Sequence, residues 1–206
     1  MRNKPLLTLA LVLVLAGCGG GGTTPPPSTT DYFDELSLSL RWSSTKTANP
    51  LKVFIGKDGT TDRSTEVMAG ATSWSVATSN LVRFTQTDTA ADADITVTFS
   101  DTVDTSDGGV GLASVSFAIV PGNPTADGII QSGAITLKTG IASNIILPTM
   151  QHELGHALGI VGRNKGDNGH SSYDGDVMFP VIKTSSSLST RDAATLIKLY
   201  ATSRKR

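Results

Sequence analysis

The residues with the most chemistry to offer sit in one short stretch. His152, Glu153 and His156 stand as His-Glu-x-x-His inside Asn144 to Leu158, a segment with helical apolar spacing. Residues four apart on an α-helix lie about 40° apart in projection and one turn along the axis, so both imidazoles face the same way and can share a metal. Zinc suits that geometry, because three protein ligands leave a fourth position for water. Glu153 is then placed beside that water as general base, taking its proton as it attacks a peptide carbonyl and returning it to the leaving amine. The chain has one Cys and three His, so neither a disulfide framework nor a multi-Cys zinc module can be built, and the histidines must carry any zinc.

Gly159 follows where a residue able to take φ > 0 ends a helix and turns the chain back, and His170 and Met178 come next. At this point the sequence resembles the metzincin metallopeptidases, specifically their matrixin-like branch, whose pattern is HExxHxxGxxH followed by a methionine turn. His152, Glu153, His156 and Gly159 match that pattern in register. The family spacing puts the third histidine where this chain has Gly162. The segment Ile160 to Gly169 reads as a loop expanded by eight residues, with His170, followed by Ser171 and Ser172, as the displaced third ligand. Asp167 in the same loop is the competing ligand.

The resemblance implies that Asp176 to Pro180 form the methionine turn, with Met178 beneath the zinc as a hydrophobic base. It also implies that Phe179 to Ile182 line an apolar pocket for the substrate side chain after the scissile bond. Astacins and serralysins place a Tyr where Pro180 stands, so a Tyr-assisted site is not expected, and Tyr173 reads as a loop residue. One zinc per chain follows, since no His is left for a second. Asp101, Asp104 and Asp107 could help bind calcium, although their spacing does not match an EF-hand loop.

These residues need a scaffold to position them. Leu36 to Trp42 and Leu51 to Ile55 alternate or carry β-branched residues as half-buried strands do, and Leu81 to Thr87 and Asp94 to Ser100 repeat the pattern. Between these pairs, Thr61 to Ser79 carries Val67, Met68, Ala71, Trp74, Val76 and Ala77 at mostly helical spacing. Asp62 or Ser64 could cap its start, Asn80 could end it, and Trp74 reads as core. Further strands are expected at Leu112 to Val120 and Ala134 to Lys138, separated by a loop ending near Ser132. Ser189 and Asp192 form a capping-box-like start to a last helix over Ala193 to Tyr200, with Leu196, Ile197, Leu199 and Tyr200 as its packing face.

The expected fold is α+β, an α/β-type sandwich. By resemblance it is a twisted mixed five-stranded sheet with a packing helix, an active-site helix and a C-terminal helix, spanning roughly Leu36 to Tyr200. The same resemblance assigns the substrate backbone to the edge strand Leu112 to Val120.

The start of the chain reads as an address. Arg2 and Lys4 precede an apolar run from Leu6 to Ala16, which is too short to span a bilayer and has the form of a secretory signal. Leu15-Ala16-Gly17-Cys18 resembles the bacterial lipobox, so residues 1–17 are expected to be a lipoprotein signal peptide and Cys18 the lipidated residue. Gly19 to Thr30 is a Gly-, Pro- and Thr-rich spacer with almost nothing to bury, leaving residues 31–206 as the catalytic domain. The expected location is extracytoplasmic, anchored to a bacterial membrane through lipid alone. The stretch between Thr30 and the first strand is too short for a folded pro-domain and the sole Cys is in the lipobox-like segment, so Cys-based latency is not expected.

Seventeen basic and eighteen acidic residues among 206 leave a formal charge of -1, which offers no electrostatic footprint for nucleic acid. The function expected is that of a monomeric zinc-dependent endopeptidase acting on protein or peptide substrates. Two alternatives stand beside it: a surface binding module that keeps zinc for structure, and a zinc amidase acting on cell-wall peptides. Retention of Glu153 favours catalysis over the binding module.

Overall fold

The computed structural model describes residues 9–11, 30–36, 38–103, 109–119, 127–161 and 169–201. The strands are β1 (Leu9–Leu11), β2 (Leu38–Arg41), β3 (Leu51–Ile55), β4 (Phe84–Thr87), β5 (Ile95–Ser100), β6 (Gly111–Ile119), β7 (Asp127–Lys138) and β8 (Ile160–Val161). The helices are α1 (Ser44–Thr47), α2 (Ser64–Ala77), α3 (Ser143–Ala157) and α4 (Thr190–Ala201), with short 3-10 turns at Phe33–Glu35 and Ala90–Asp92.

The five-stranded mixed sheet is present as the run β6-β7-β5-β3-β4. β4, β3, β5 and β7 are parallel, and β6 runs antiparallel to β7. Three short strands extend it. β2 lies parallel to the first part of β7 and antiparallel to β8, and β1 lies antiparallel to β6. β1 falls inside the expected signal segment and occupies the edge that the resemblance assigns to substrate. Cys18, Asp104, Asp107 and Asp167 lie outside the described residues, while Asp101 is described and exposed.

β7 begins well before Ala134, where a loop was expected. Gly128 and Gly133 are not turn residues here. A Cβ on Gly128 would lie 2.5 Å from Leu40 and 2.6 Å from Phe117, so the glycine lets β7 run close beneath two core side chains.

α2 packs chiefly against α3, burying Val67, Ala71 and Trp74 on one face of the helix, with Trp74 Nε1 donating to Gln151 O at 2.7 Å. Its start is tied by Asp62 Oδ1, which accepts from the Ser64 N–H at 2.8 Å. It ends as Ser79 and Asn80 take φ of 53° and 64°, the left-handed region that Asn tolerates. Val76 is 71% exposed and faces solvent, contrary to its place in the apolar pattern. α4 shows the same exception: Leu196 and Leu199 are buried, but Ile197 is 42% exposed. Its capping box is complete, with Ser189 N–H on Asp192 Oδ2 at 2.9 Å and Asp192 N–H on Ser189 Oγ at 3.0 Å.

α3 is enclosed, with every residue from Pro148 to Ala157 buried. Its end is closed by distant side chains that satisfy carbonyls a helix leaves unpaired. Trp42 Nε1 donates to Ala157 O at 3.1 Å and the Tyr200 hydroxyl donates to Leu158 O at 3.0 Å. Gly159 then takes φ of 111°, with Leu40 O in the space where a Cβ would stand, so no other residue fits the exit from this helix. Among the described residues no helix is long and apolar enough to cross a membrane.

Candidate metal centre and active site

α3 is the positioning element. Its buried, polar His152, Glu153 and His156 are the kind of groups that a core excludes unless they are paired or used. His152 Nδ1 lies 2.7 Å from Val177 O and His156 Nδ1 lies 2.6 Å from Ile160 O. A carbonyl only accepts, so both rings carry their proton on Nδ1 and turn a bare Nε2 lone pair inward.

Those lone pairs converge. His156 Nε2 lies 3.1 Å from His152 Nε2, which in turn lies 3.1 Å from His170 Nε2. With no proton between His152 and His156, their lone pairs repel at this distance, and a shared cation converts the repulsion into binding. Tetrahedral zinc with nitrogen ligands at about 2.0–2.1 Å separates them by about 3.3 Å, close to the spacing present. Burial lowers His152 to about 4 and His170 to about 3, in the latter case with help from His152, and holds His156 well below the usual range. All three rings are therefore neutral at pH 7, the form that binds metal. The structure thus brings together the three histidines singled out in the sequence.

Glu153 is buried beside them. Its carboxylate receives the Ala113 backbone N–H, while Oε2 has no hydrogen-bond partner among the described residues. Burial raises its pKa to about 8. The residue faces a cleft lined by Gly109, Val110, Gly111, His152, Glu153, His170, Pro180 and Ile182. Pro180 and Ile182 supply an apolar wall. Gly111, where β6 begins, passes so near that an added Cβ would lie 2.6 Å from Glu153 Oε1.

Met178 is fully buried against Gly155 and Trp74, directly under α3. Its turn is held by two carboxylates. Asp192 accepts from the Val177 N–H at 2.8 Å and the Met178 N–H at 3.4 Å. Asp176 accepts from Ser189 Oγ at 2.7 Å, Arg191 Nε at 3.0 Å and the Ser171 hydroxyl. A backbone bond from Ser171 N–H to Met178 O at 2.9 Å joins the His170 segment to this turn. Tyr173 lies beside Arg191, not in the cleft lining. The sequence marked Asp192 only as a helix cap and gave Asp176 no role beyond its place in the turn. Nor did it signal the caps from Trp42 and Tyr200.

A family model described as Matrixin matches residues 42–201. No curated protein matches the sequence. Among solved structures that resemble the chain is that of myroilysin, with a TM-score of 0.49 at 15% identity, covering 81% of this chain and 98% of that one.

Proposed function

This chain belongs to the matrixin family of zinc metallopeptidases, and from that premise we propose that it is an endopeptidase in which His152, His156 and His170 hold one zinc and Glu153 is the general base. The observation that carries the proposal is the meeting of three imidazole Nε2 atoms, those of His152 and His156 proton-free, with a buried carboxyl whose Oε2 has no partner among the described residues, beside a cleft lined by His152, Glu153 and His170.

Zinc bound at the three nitrogens supplies Lewis acidity toward the substrate carbonyl and an acidified water. The protein's own part is to aim and to move one proton. Glu153 Oε2, with no competing donor, takes the proton from the attacking water. The carboxyl then hands that proton to the departing amine. The Ala113 N–H steadies the carboxyl throughout. Pro180 and Ile182 favour an apolar side chain after the scissile bond. Met178 is the apolar floor that keeps the α3 face in place.

Cleavage of a diverse peptide mixture by zinc-loaded protein, with Glu153→Ala as the blank, tests the proposal. New termini with apolar residues after the cut, at a rate reduced about 10²–10⁴-fold in the blank, are expected. Equal cleavage by both proteins would reject Glu153 as the base.

Residues 1–17 remain our proposed lipoprotein signal and Cys18 the lipidated residue, giving an extracytoplasmic, membrane-tethered enzyme with residues 31–206 as its catalytic domain. The support is the lipobox-like sequence and the spacer that follows. Mass spectrometry of membrane-extracted protein should find an acylated N-terminus at Cys18. A mature chain with free Met1, or with an unmodified Cys18, would contradict this.

A further inference from the structure

The N-terminal end of the domain reaches the metal centre through an unbroken chain of hydrogen bonds. The Tyr32 hydroxyl donates to Asp192 Oδ1 at 2.7 Å, Asp192 Oδ2 accepts from Val177 N–H at 2.8 Å, and Val177 O accepts from His152 Nδ1 at 2.7 Å. Tyr32 is 1% exposed and Asp192 0% exposed. No water competes for these groups, and a hydrogen bond to a carboxylate is roughly twice as strong as one between neutral partners. Burial and the nearby Asp192 raise the Tyr32 pKa well above its ordinary value, so the hydroxyl stays a donor.

The two oxygens of Asp192 are not equally held. Oδ2 has two short bonds, from Val177 N–H at 2.8 Å and Ser189 N–H at 2.9 Å. Among the described residues, Oδ1 has only Tyr32 and the long contact from Met178 N–H at 3.4 Å. Without the Tyr32 hydroxyl, Oδ1 would keep one marginal donor and the carboxylate could turn about its bond to Cβ. The Val177–Met178 backbone would move with it.

Tyr32 is pinned independently of this bond, because its own N–H donates to Thr195 Oγ1 at 2.9 Å. The same segment touches the His170 side of the site. Glu35 Oε2 accepts from Ser172 N–H at 3.3 Å, and Glu35 Oε1 lies 3.6 Å from Arg191 Nη2.

We propose that Tyr32 is a positioning residue for the metal centre: its hydroxyl fixes the Asp192 carboxylate, which holds the turn whose Val177 carbonyl orients the His152 ring. The premise is the zinc-peptidase role proposed above. Conserving the ring while deleting the hydroxyl, Tyr32→Phe, isolates the effect. Val53→Ala, a core truncation on β3 outside this network, reports general destabilisation.

Zinc affinity of the full chain, measured by chelator competition, is the deciding readout. Partners that orient a zinc-bound histidine commonly change affinity about 10–100-fold, so Tyr32→Phe should weaken binding by about tenfold. In the same protein kcat should fall with KM little changed, because the substrate wall is untouched. Val53→Ala should melt earlier at unchanged affinity, and in an Asp192→Asn background Tyr32→Phe should add nothing further. Wild-type affinity in Tyr32→Phe, or an equal loss in Val53→Ala, would overturn the proposal while leaving the zinc role standing. A wild-type chain that binds no zinc would overturn both.

Discussion

Met178 Sδ fills the space that a side chain on Gly155 would occupy, and the same hypothetical Cβ would meet Trp74 Cζ2 at 3.1 Å. Gly155 lies between Glu153 and His156 on α3, so the floor of the site packs directly on the backbone that carries its chemistry. An unspecified position of the His-Glu-x-x-His pattern is thereby fixed by contact with a residue more than twenty positions away.

Gly155→Ala should therefore destabilise the fold by about 1–3 kcal/mol through overpacking. Met178→Ala should cost about 2–5 kcal/mol through the cavity it leaves. Because each change relieves the other, the double variant should fall short of the sum by on the order of 1 kcal/mol in denaturant unfolding. Strict additivity would show that the two residues do not share this space.

Gly111→Ala should separate catalysis from metal binding. The new methyl would lie 2.6 Å from Glu153 Oε1 and 2.7 Å from Thr149 Cγ2, so the carboxyl must shift while the three imidazoles stay in place. A displacement approaching 1 Å at a reacting group can cost about 10²-fold, and kcat/KM should fall on that scale with one zinc still bound. Full activity would mean that Glu153 does not depend on this close approach.

The metal-free protein should be most stable near pH 6.5. His152 and His170 are lowered by burial from 6.5 to about 4 and 3, and His156 is lowered also, so the unfolded chain binds more protons below 6.5 and stability falls as pH drops. Glu153 is raised from 4.5 to about 8, so the folded chain holds a proton that the unfolded chain has released, and its contribution is lost as pH rises through that window. Three histidines outweigh one glutamate below 6.5, and above it the histidine contribution is complete while that of Glu153 declines. Thermal unfolding in chelator should show this maximum, and Glu153→Gln should flatten the decline from 6.5 to 8. An unchanged decline in that variant would assign it to other groups.

Much of the site was legible because its parts are local or scarce. His152, Glu153 and His156 share one helical turn, and the chain's third histidine had nowhere else to serve. Local periodicity also found α2, β3 and β5 close to their observed limits. Contacts made across long stretches of chain were not legible. Tyr32 meets Asp192 across 160 positions and Trp42 meets Ala157 across 115, and nothing in either neighbourhood marks the partner. The first half of β7 was not legible, because a glycine such as Gly128, placed there for close packing against Leu40 and Phe117, weakens the strand pattern. Val76 and Ile197 misled because an apolar pattern does not say where the burying surface ends.

Three Nε2 atoms should bind one zinc with Glu153 beside it. A crystal structure of the zinc-loaded chain, with anomalous data on both sides of the zinc edge, tests it most directly. One peak per chain is expected at about 2.0–2.1 Å from Nε2 of His152, His156 and His170, with Glu153 within reach but not coordinating. A peak bound by Asp167 in place of His170, a second zinc, or no zinc at these histidines would contradict it.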